Sequence, residues 1–368
     1  MDCFVASLLA MTPAAMSEPE VIAERRGRAG FITLNRPTAL NALNLGMVRA
    51  IAAALDAFEK DDQVARVVVA GAGGRAFCAG GDIRLLYEQG KAGDHASQLA
   101  FWREEYILNR RIKRYPKPYI ALIDGVVMGG GVGLSAPGSH VVAGERYLFA
   151  MPEVGIGFFP DVGATYLLPR LPRRIGRYFA LTGERAGAGD ALAFGLADAF
   201  VKSPRMTGLA EALQGADSIE DILASFKAQP PASPLAAETA LIERCFSGET
   251  IADCLAALDS AAREGAALAK TALAAMLAKS PTSQAIALRQ MQIGATLSFE
   301  EAMGVEFRIV SRICRGVDFY EGVRAVIVDK DNRPRWRPDR AEDVKAEDID
   351  AYFAPLGDDD LAFAPASP

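Results

Sequence analysis

The sequence predicts an α/β fold followed by a helical region, and two observations carry this prediction. Up to about residue 200, short apolar segments with strand character alternate with helical patterns, which is typical of α/β architectures. From about residue 205 to 328 the pattern is helical and alanine-rich, without a convincing strand. We therefore expect a core at residues 19–202 and a helical C-terminal region at residues 203–356 that packs on it. Residues 1–18 are expected to form a disordered extension, and the acidic residues 357–368 a flexible tail.

The elements of the core follow from local patterns taken in chain order. Residues 20–35 predict two short strands around a glycine-containing turn. Residues 45–59 predict a helix, because their apolar side chains fall on one face: Met47, Val48, Ile51, Leu55 and Phe58. Residues 64–73 and 117–125 each predict a buried strand that ends at glycine, and residues 140–151 predict two more short strands.

The composition narrows the classes of function. The chain carries 40 Lys and Arg against 46 Asp and Glu, a formal net charge of −6, so no broad basic surface is expected. Nucleic acid and acidic membrane surfaces are therefore disfavoured as partners. The sequence contains no apolar run long enough to span a bilayer. Because it holds only 2 histidines, a multi-histidine metal site cannot be built, and no metal is expected.

The cysteines and the first residues bear on the cellular compartment. The 5 cysteines are an odd number without a CxxC pair, so neither a disulfide framework nor a zinc site is indicated. Asp2 stands where a secretory signal carries Lys or Arg, and the arginines of an organellar transit peptide are missing. We therefore expect a cytoplasmic protein.

Two glycine-bearing loops follow buried strands, "RAFCAGGDIRLL" (75–86) and "GVVMGGGVGLSAPG" (125–138). In each, a strand ends, the backbone turns through glycines, and a helix-like segment begins. A helix N-terminus leaves N–H groups free, so two such loops can direct two donors at one oxygen, as in an oxyanion hole. The alternative is that these glycines serve tight packing alone. The second loop is not a P-loop, because no Gly-Lys-Ser/Thr follows it.

Two carboxylates, Glu153 and Asp161, lie in the apolar stretch "FAMPEVGIGFFPDVGATYLLPRL" (149–171). Charged groups in apolar surroundings are unfavourable unless they are paired or used in chemistry. Burial raises the pKa of a carboxyl group, which suits acid–base or nucleophilic chemistry near neutral pH. The alternative is structural, with Glu153 capping a short helix and Asp161 acting as an N-cap.

A third acidic position lies in the predicted helix at residues 101–118, where Glu104 and Glu105 are adjacent. Adjacent helical residues point about 100° apart, so the two carboxylates cannot share a face. The residues alone favour a solvated helix surface for this pair.

Several stretches, in this order, resemble the crotonase (enoyl-CoA hydratase/isomerase) superfamily. They are "ITLNRPTALNALN" (32–44), "AFCAGGDI" (76–83), "GGGVGLS" (129–135), "MPEVGIGFFPDVG" (151–163) and "LTGERAGAGDALAFGLAD" (181–198). Within the superfamily the chain is most similar to the 3-hydroxyisobutyryl-CoA hydrolases, through "REEYILN" (103–109), "SPTSQAIALRQ" (280–290) and "DFYEGVRAVIVDKDNRPRW" (318–336). The resemblance covers about residues 20–356. It implies a spiral of ββα units followed by helices.

The resemblance also implies roles for named residues. The N–H groups of Gly81 and Gly130 would hold the thioester carbonyl of an acyl-CoA, and Glu153 would be the catalytic carboxylate. Asp161 would be the second functional acid, and Glu105 would join the substrate pocket. The remaining substrate-binding positions, along the pantetheine and adenine of the acyl-CoA, would be Ala39, Leu40, Ala79, Asp82 and Ile83.

One departure separates the chain from the hydratases of this superfamily. Hydratases carry a second glutamate shortly after the triple glycine, where this chain has Gly133, and they usually have glycine at the position of Asp161. The resemblance therefore implies hydrolysis of 3-hydroxyisobutyryl-CoA in valine catabolism, with coenzyme A as part of the substrate and no further cofactor. The acyl preference would depend on walls such as Trp102, Tyr106, Phe158 and Phe159.

Two alternative functions stay open at this stage. The chain could be an enoyl-CoA hydratase or isomerase acting on another acyl-CoA, or a non-catalytic acyl-CoA-binding protein. In the second case, replacing Glu153 and Asp161 by alanine would leave its function unchanged. The oligomeric state is open as well, because relatives of this superfamily form trimers and hexamers, and a homo-oligomer is one outcome.

Overall fold

The computed structural model describes residues 18–363 and contains two β-sheets surrounded by helices. The strands are β1 (Val21–Arg26), β2 (Ala29–Leu34), β3 (Arg66–Gly71), β4 (Ala76–Cys78), β5 (Tyr119–Ile123), β6 (Val126–Met128), β7 (His140–Ala143), β8 (Leu148–Ala150), β9 (Ala186–Gly187) and β10 (Ala199–Phe200). The expected extension lies outside the described residues except for residue 18, so its prediction is not addressed by the structure.

The helices of the core are α1 (Leu45–Lys60), α2 (Ile83–Lys91), α3 (His95–Lys113), α4 (Gly130–Ser135), α5 (Ala164–Leu167), α6 (Ile175–Thr182) and α7 (Ala188–Phe194). Those that follow are α8 (Met206–Ala212), α9 (Ile219–Phe226), α10 (Pro234–Ala237), α11 (Thr239–Cys245), α12 (Ile251–Arg263), α13 (Ala267–Leu277), α14 (Pro281–Ile293), α15 (Phe299–Ile313), α16 (Val317–Val323) and α17 (Ala346–Phe353). A π-helical segment, Arg324–Val328, continues from α16.

The two sheets arise from a repeated ββα unit. The large sheet has the order β1-β2-β3-β5-β7-β10, and the small sheet has the order β4-β6-β8-β9. Each repeat contributes one strand to the large sheet, the next strand to the small sheet, and then a helix. Successive repeats pair in parallel in both sheets, so the chain advances as a spiral. This confirms the predicted fold class.

The apolar face predicted for the first helix is buried as expected. Met47, Val48, Ile51, Leu55 and Phe58 of α1 all lie in the main core, which continues through the helical region. A second, smaller core covers the other face of the large sheet, where α8 and α9 pack on β3, β5 and β7. The helical region therefore packs on the α/β core from two sides, and the strand predictions at 20–35, 64–73, 117–125 and 140–151 are confirmed.

The segment after α17 is held more firmly than a flexible tail. Asp360 makes a bidentate ion pair with Arg308 of α15 at 2.9 Å, and the side chain of Leu361 is buried. The expectation of flexibility over 357–368 therefore does not apply to residues 357–363, because a charge pair and an apolar anchor fix them. Within 18–363, none of the helices has the length and apolar character needed to cross a membrane.

Candidate active site

A cavity of about 660 Å³ opens between the two glycine loops. Its floor is formed by the loops that end β4 and β6, and one wall by α3 together with the residues that follow β8. The helical region also lines the cavity and contributes Lys279, Val326, Ile327 and Asn332. The cavity therefore lies at the junction of the α/β core and the helical region.

The two glycine loops approach each other closely at the cavity floor. The first loop is fixed by the N–H of Leu43, which donates to the carbonyl of Gly80 at 2.8 Å. A Cβ placed on Gly80 would lie 4.0 Å from the backbone nitrogen of Gly130. Gly130 opens α4, so its N–H has no intrahelical acceptor. Gly81 and Gly130 both line the cavity, and the structure brings the two sequence-predicted donors to one place.

Three carboxylates line the same cavity, namely Glu105, Glu153 and Asp161. All three are buried, with exposed fractions of 2%, 7% and 5%. Oε1 of Glu105 and Oε2 of Glu153 have no hydrogen-bond partner among the described residues. Asp161 accepts a hydrogen bond from the hydroxyl of Tyr106 at 2.8 Å. Buried carboxylate oxygens without partners are unfavourable in a folded protein, so these atoms are candidates for contact with a ligand or water.

Burial perturbs the protonation of this group of acids. Desolvation raises the pKa of Asp161 to about 7, against the effect of the hydrogen bond from Tyr106. The pKa values of Glu105 and Glu153 are raised well above the ordinary range, first by desolvation and then by the nearby Asp161 carboxylate. Proton exchange near neutral pH is therefore available in the cavity.

The predicted capping role of Asp161 is wrong. The helix that follows, α5, begins after Gly163, and no side chain of its N-cap residue bonds to it. The free N–H groups of Gly163 and Thr165 donate instead to the carboxylate of Glu306 on α15, both at 2.8 Å. Because a distant acid satisfies the helix N-terminus, Asp161 is left to face the cavity and Tyr106.

The capping alternative for Glu153 also fails. Glu153 is the first residue of a short 3-10 turn, Glu153–Ile156, whose N-cap is Pro152. It makes no side-chain cap. Oε1 of Glu153 lies 3.0 Å from a Cβ placed on Gly129, the residue directly before Gly130. The carboxylate is therefore adjacent to the second glycine loop.

The adjacent acids of α3 have opposite environments, as their angular separation requires. Glu104 is on the surface and pairs with Arg49 at 2.6 Å. Glu105 is buried and lines the cavity, so the surface interpretation holds for Glu104 and is wrong for Glu105. A Cβ on Gly130 would lie 2.6 Å from Oε1 of Glu105, which shows how closely this acid approaches the second loop.

Gly133 is required by the packing of the segment that carries Asp161. A Cβ at Gly133 would lie 2.6 Å from Cβ of Val162 and 2.7 Å from Nδ2 of Asn109. Asn109 also donates to the carbonyl of Gly133 at 3.0 Å. A glutamate at position 133 therefore has no room while Val162 and Asp161 occupy their positions.

The remaining predicted substrate-binding residues also belong to the cavity lining. Ala39, Leu40, Ala79, Asp82 and Ile83 all line the cavity. Asp82 has other contacts, since it caps α2 through Leu85 and pairs with Arg36 at 2.8 Å. Of the residues predicted to contact the acyl group, Trp102 and Phe158 line the cavity, and their rings stack with centroids 5.5 Å apart. Tyr106 and Phe159 are not part of the cavity lining.

The sequence analysis missed Glu306 and Gln290, which contact the Asp161 segment from α15 and α14. Both are fully buried among apolar neighbours of their own helix. A polar residue on an otherwise apolar helical stripe is the signal that could have found them. Lys279 was missed as well, and desolvation lowers its pKa. Over the described chain, no three or more His, Cys, Asp or Glu side chains are grouped to hold a metal ion.

Known proteins that resemble this chain were found by family model and by sequence. The sequence model of a family described as enoyl-CoA hydratase/isomerase matches residues 29–353. The mitochondrial 3-hydroxyisobutyryl-CoA hydrolase of Xenopus tropicalis is 44% identical over 363 residues, which cover 96% of this chain and 93% of that protein. The enzyme of the same name from Rattus norvegicus is 45% identical over 94% of this chain and 91% of its own length.

Two solved structures share the whole architecture. One is described as a carnitinyl-CoA dehydratase from Mycobacterium thermoresistibile, with a TM-score of 0.89 and 42% identity over 94% of this chain and 99% of that one. The other is described as an enoyl-CoA hydratase from Rhodobacter sphaeroides, with a TM-score of 0.88 and 42% identity over 94% and 100%.

The expectation of a cytoplasmic location is wrong by the same comparison, because the curated relatives are mitochondrial enzymes. The four cysteines in the described part of the chain are free and buried. Free thiols separate reducing from oxidising compartments and do not distinguish one reducing compartment from another.

Proposed function

The chain belongs to the enoyl-CoA hydratase/isomerase family, and we propose that within this family it hydrolyses the thioester of 3-hydroxyisobutyryl-CoA. It is an acyl-CoA thioester hydrolase, like its curated relatives. The products are 3-hydroxyisobutyrate and free coenzyme A, and we place the reaction in valine catabolism. Coenzyme A belongs to the substrate, so the proposal needs no separate cofactor.

The thioester carbonyl is placed between the N–H groups of Gly81 and Gly130. The close approach of the two glycine loops supports this placement. As the carbonyl carbon becomes tetrahedral, its oxygen gains negative charge, and both donors strengthen their interaction with it. Each donor of this kind lowers the barrier by about 3 kcal/mol in well-studied enzymes.

Glu153 and Asp161 supply the proton chemistry. Both acids are buried in one cavity, and desolvation raises the pKa of each, so an ionised carboxylate here is a stronger base than one in water. In one route Glu153 takes a proton from water, the water oxygen bonds to the carbonyl carbon, and the carbon–sulfur bond breaks. In the other, Glu153 attacks directly and water then cleaves the mixed anhydride. Asp161 orients the water or the 3-hydroxyl group in either route, and coenzyme A leaves as a thiolate.

The observation that carries the proposal is that the chain has both an aspartate at position 161 and a glycine at position 133. Addition of water across a double bond by two glutamates needs a second glutamate at position 133. Here a Cβ at that position would already lie 2.6 Å from Val162. The second acid stands instead at position 161, on the same short segment as Glu153, which favours attack at the thioester.

Variants of the two acids test these roles directly. Glu153→Gln and Asp161→Asn are each expected to lower kcat for thiol release by about 10²–10⁴-fold, with KM little changed. Glu104→Gln is the matched control, because Glu104 is a surface acid next to Glu105 and is expected to leave kcat unchanged. Wild-type rates in Glu153→Gln would overturn its assignment.

A Glu153 oxygen enters the product only if the mixed anhydride forms and water cleaves it at the Glu153 carbonyl. Single-turnover hydrolysis in H₂¹⁸O, followed by mass spectrometry of the protein, detects this event as label in Glu153. Label in Glu153 supports the anhydride route, and an unlabelled Glu153 excludes an anhydride that is cleaved at the Glu153 carbonyl.

Hydration of an enoyl-CoA is the second candidate function. It is favoured by the descriptions of the two solved structures, which are as similar in sequence as the hydrolases are. Loss of enoyl absorbance from crotonyl-CoA without release of thiol from 3-hydroxyisobutyryl-CoA would favour it.

A further inference from the structure

The segment that carries Asp161 has an unfavourable backbone conformation. Val162 has a φ of 53°, in the left-handed region that β-branched residues avoid. Gly163 follows with a φ of 96°. Two consecutive residues with positive φ turn the chain sharply, and this turn aims the Asp161 side chain away from α5 and towards the cavity. Such a conformation persists only where the surroundings hold it.

Two fully buried side chains of the helical region hold this turn, which we define as residues 160–165. Glu306 of α15 accepts from the N–H groups of Gly163 and Thr165, both at 2.8 Å. Gln290 of α14 donates to the carbonyl of Pro160 at 2.9 Å and to the hydroxyl of Thr165 at 2.6 Å. Together they bond to the backbone on both sides of Asp161.

Neither side chain lines the cavity, so neither is placed to touch the substrate. Every hydrogen bond just described goes to the turn, and the side chain of the turn that reaches the cavity is Asp161. The turn also packs Val162 against Gly133 of the second glycine loop. The position of the Asp161 carboxylate therefore depends on contacts made from two helices that follow the α/β core.

We propose that Glu306 and Gln290 are positioning residues, through which the helical region fixes the Asp161 carboxylate in the cavity. This inference rests on the proposed role of Asp161 in thioester hydrolysis. Glu306 also lies near the acid that it positions, because desolvation and, to a smaller extent, the Asp161 carboxylate raise the pKa of Glu306 to about 8.

The test is a double-mutant cycle measured by thiol release. Glu306→Gln and Gln290→Leu each remove hydrogen bonds to the turn, and kcat is expected to fall on the order of 10²-fold, the effect of a misplaced catalytic group. In the Asp161→Asn background the same substitutions should lower kcat by less than about twofold more, because they act through Asp161. A full further loss in that background would overturn the proposal.

A matched control separates positioning from loss of stability. Gln284 is another buried glutamine of α14, and its amide donates to the carbonyls of Leu181 and Met276 at 3.0 and 3.2 Å. Gln284→Leu should lower Tm about as much as Gln290→Leu and leave kcat unchanged. If kcat instead follows Tm across all the variants, the role is structural and the proposal fails.

Two further measurements separate failure of the positioning role from misfolding and from failure of the proposed function. Should Glu306→Gln fail to fold, Gln290→Leu, which changes no ionisable group, decides the question by the same cycle. Thiol release by the wild type and by Asp161→Asn alone reports on the proposed function. A wild type that releases no thiol refutes that function, whereas an active wild type with additive variants refutes only the positioning role.

Discussion

Gly133→Ala is the substitution that most directly tests the coupling between the two loops of the cavity. The added Cβ would lie 2.6 Å from Cβ of Val162 and 2.7 Å from Nδ2 of Asn109, well inside normal contact. Neither neighbour can move freely, because Asn109 donates to the carbonyl of residue 133 and Val162 belongs to a turn held by Glu306. Overpacking of this kind lowers the free energy of unfolding by about 1–3 kcal/mol.

Gly133→Ala should lower catalytic activity as well as stability. Relief of the clash moves Val162, and with it the adjacent Asp161. A displacement of about 1 Å at a catalytic group lowers kcat by roughly 10²-fold. Urea unfolding followed by circular dichroism measures the first effect, and thiol release from 3-hydroxyisobutyryl-CoA at saturating substrate measures the second.

Gly304→Ala provides the matched control. Gly304 lies within α15, and a Cβ there would meet no atom within 4 Å. Alanine in a helix interior is favoured over glycine by about 0.5–1 kcal/mol, so this variant should be as stable as the wild type or more so, with unchanged kcat. A Gly133→Ala protein with the stability and kcat of the wild type would refute the steric argument.

Two other predictions concern charge. Lys279 lines the cavity and has no ion pair among the described residues, so its ammonium group can bind the phosphates of coenzyme A. Lys279→Met should therefore raise KM for the acyl-CoA. KM for the acyl-pantetheine thioester, which lacks those phosphates, should stay unchanged. An equal rise for both thioesters would exclude phosphate binding. The second prediction is that Asp161 destabilises the fold as pH rises. Its pKa rises from 3.8 to about 7 on folding, so the folded protein retains a proton that the unfolded chain releases. The contribution of this proton to the free energy of unfolding is at most about 4 kcal/mol. It is present in full below pH 3.8 and is lost by about pH 7. Urea unfolding of the wild type and of Asp161→Asn between pH 4 and 8 measures this contribution. As pH rises, the free energy of unfolding of the variant should increase relative to that of the wild type, and a difference that stays constant with pH would contradict the prediction.

The fold and much of the site could be predicted because they depend on local patterns. Continuous apolar segments that end at glycine predicted β3, β5 and the two glycine loops, and the apolar setting of Glu153 and Asp161 indicated buried acids. The burial of Glu105 could not be read from α3 itself, because adjacent glutamates look alike until packing decides which one faces the core.

The contacts between distant segments were beyond local patterns. Glu306 lies more than 140 residues after the turn that it caps, so nothing near Asp161 signals its presence. An aspartate before a short helix is a good N-cap by propensity, and tertiary packing overrode that preference here. The left-handed conformation of Val162 runs against residue preference and becomes understandable only with its neighbours in place.

The measurement that tests the central claim most directly compares two thioesters with the purified wild type. Release of free thiol from 3-hydroxyisobutyryl-CoA and loss of enoyl absorbance from crotonyl-CoA are followed side by side, with Asp161→Asn as the inactive control. A thioester hydrolase with its second acid at position 161 releases thiol rapidly from the first substrate and hydrates the second slowly or not at all. Rapid hydration of crotonyl-CoA without thiol release from either substrate would contradict the account.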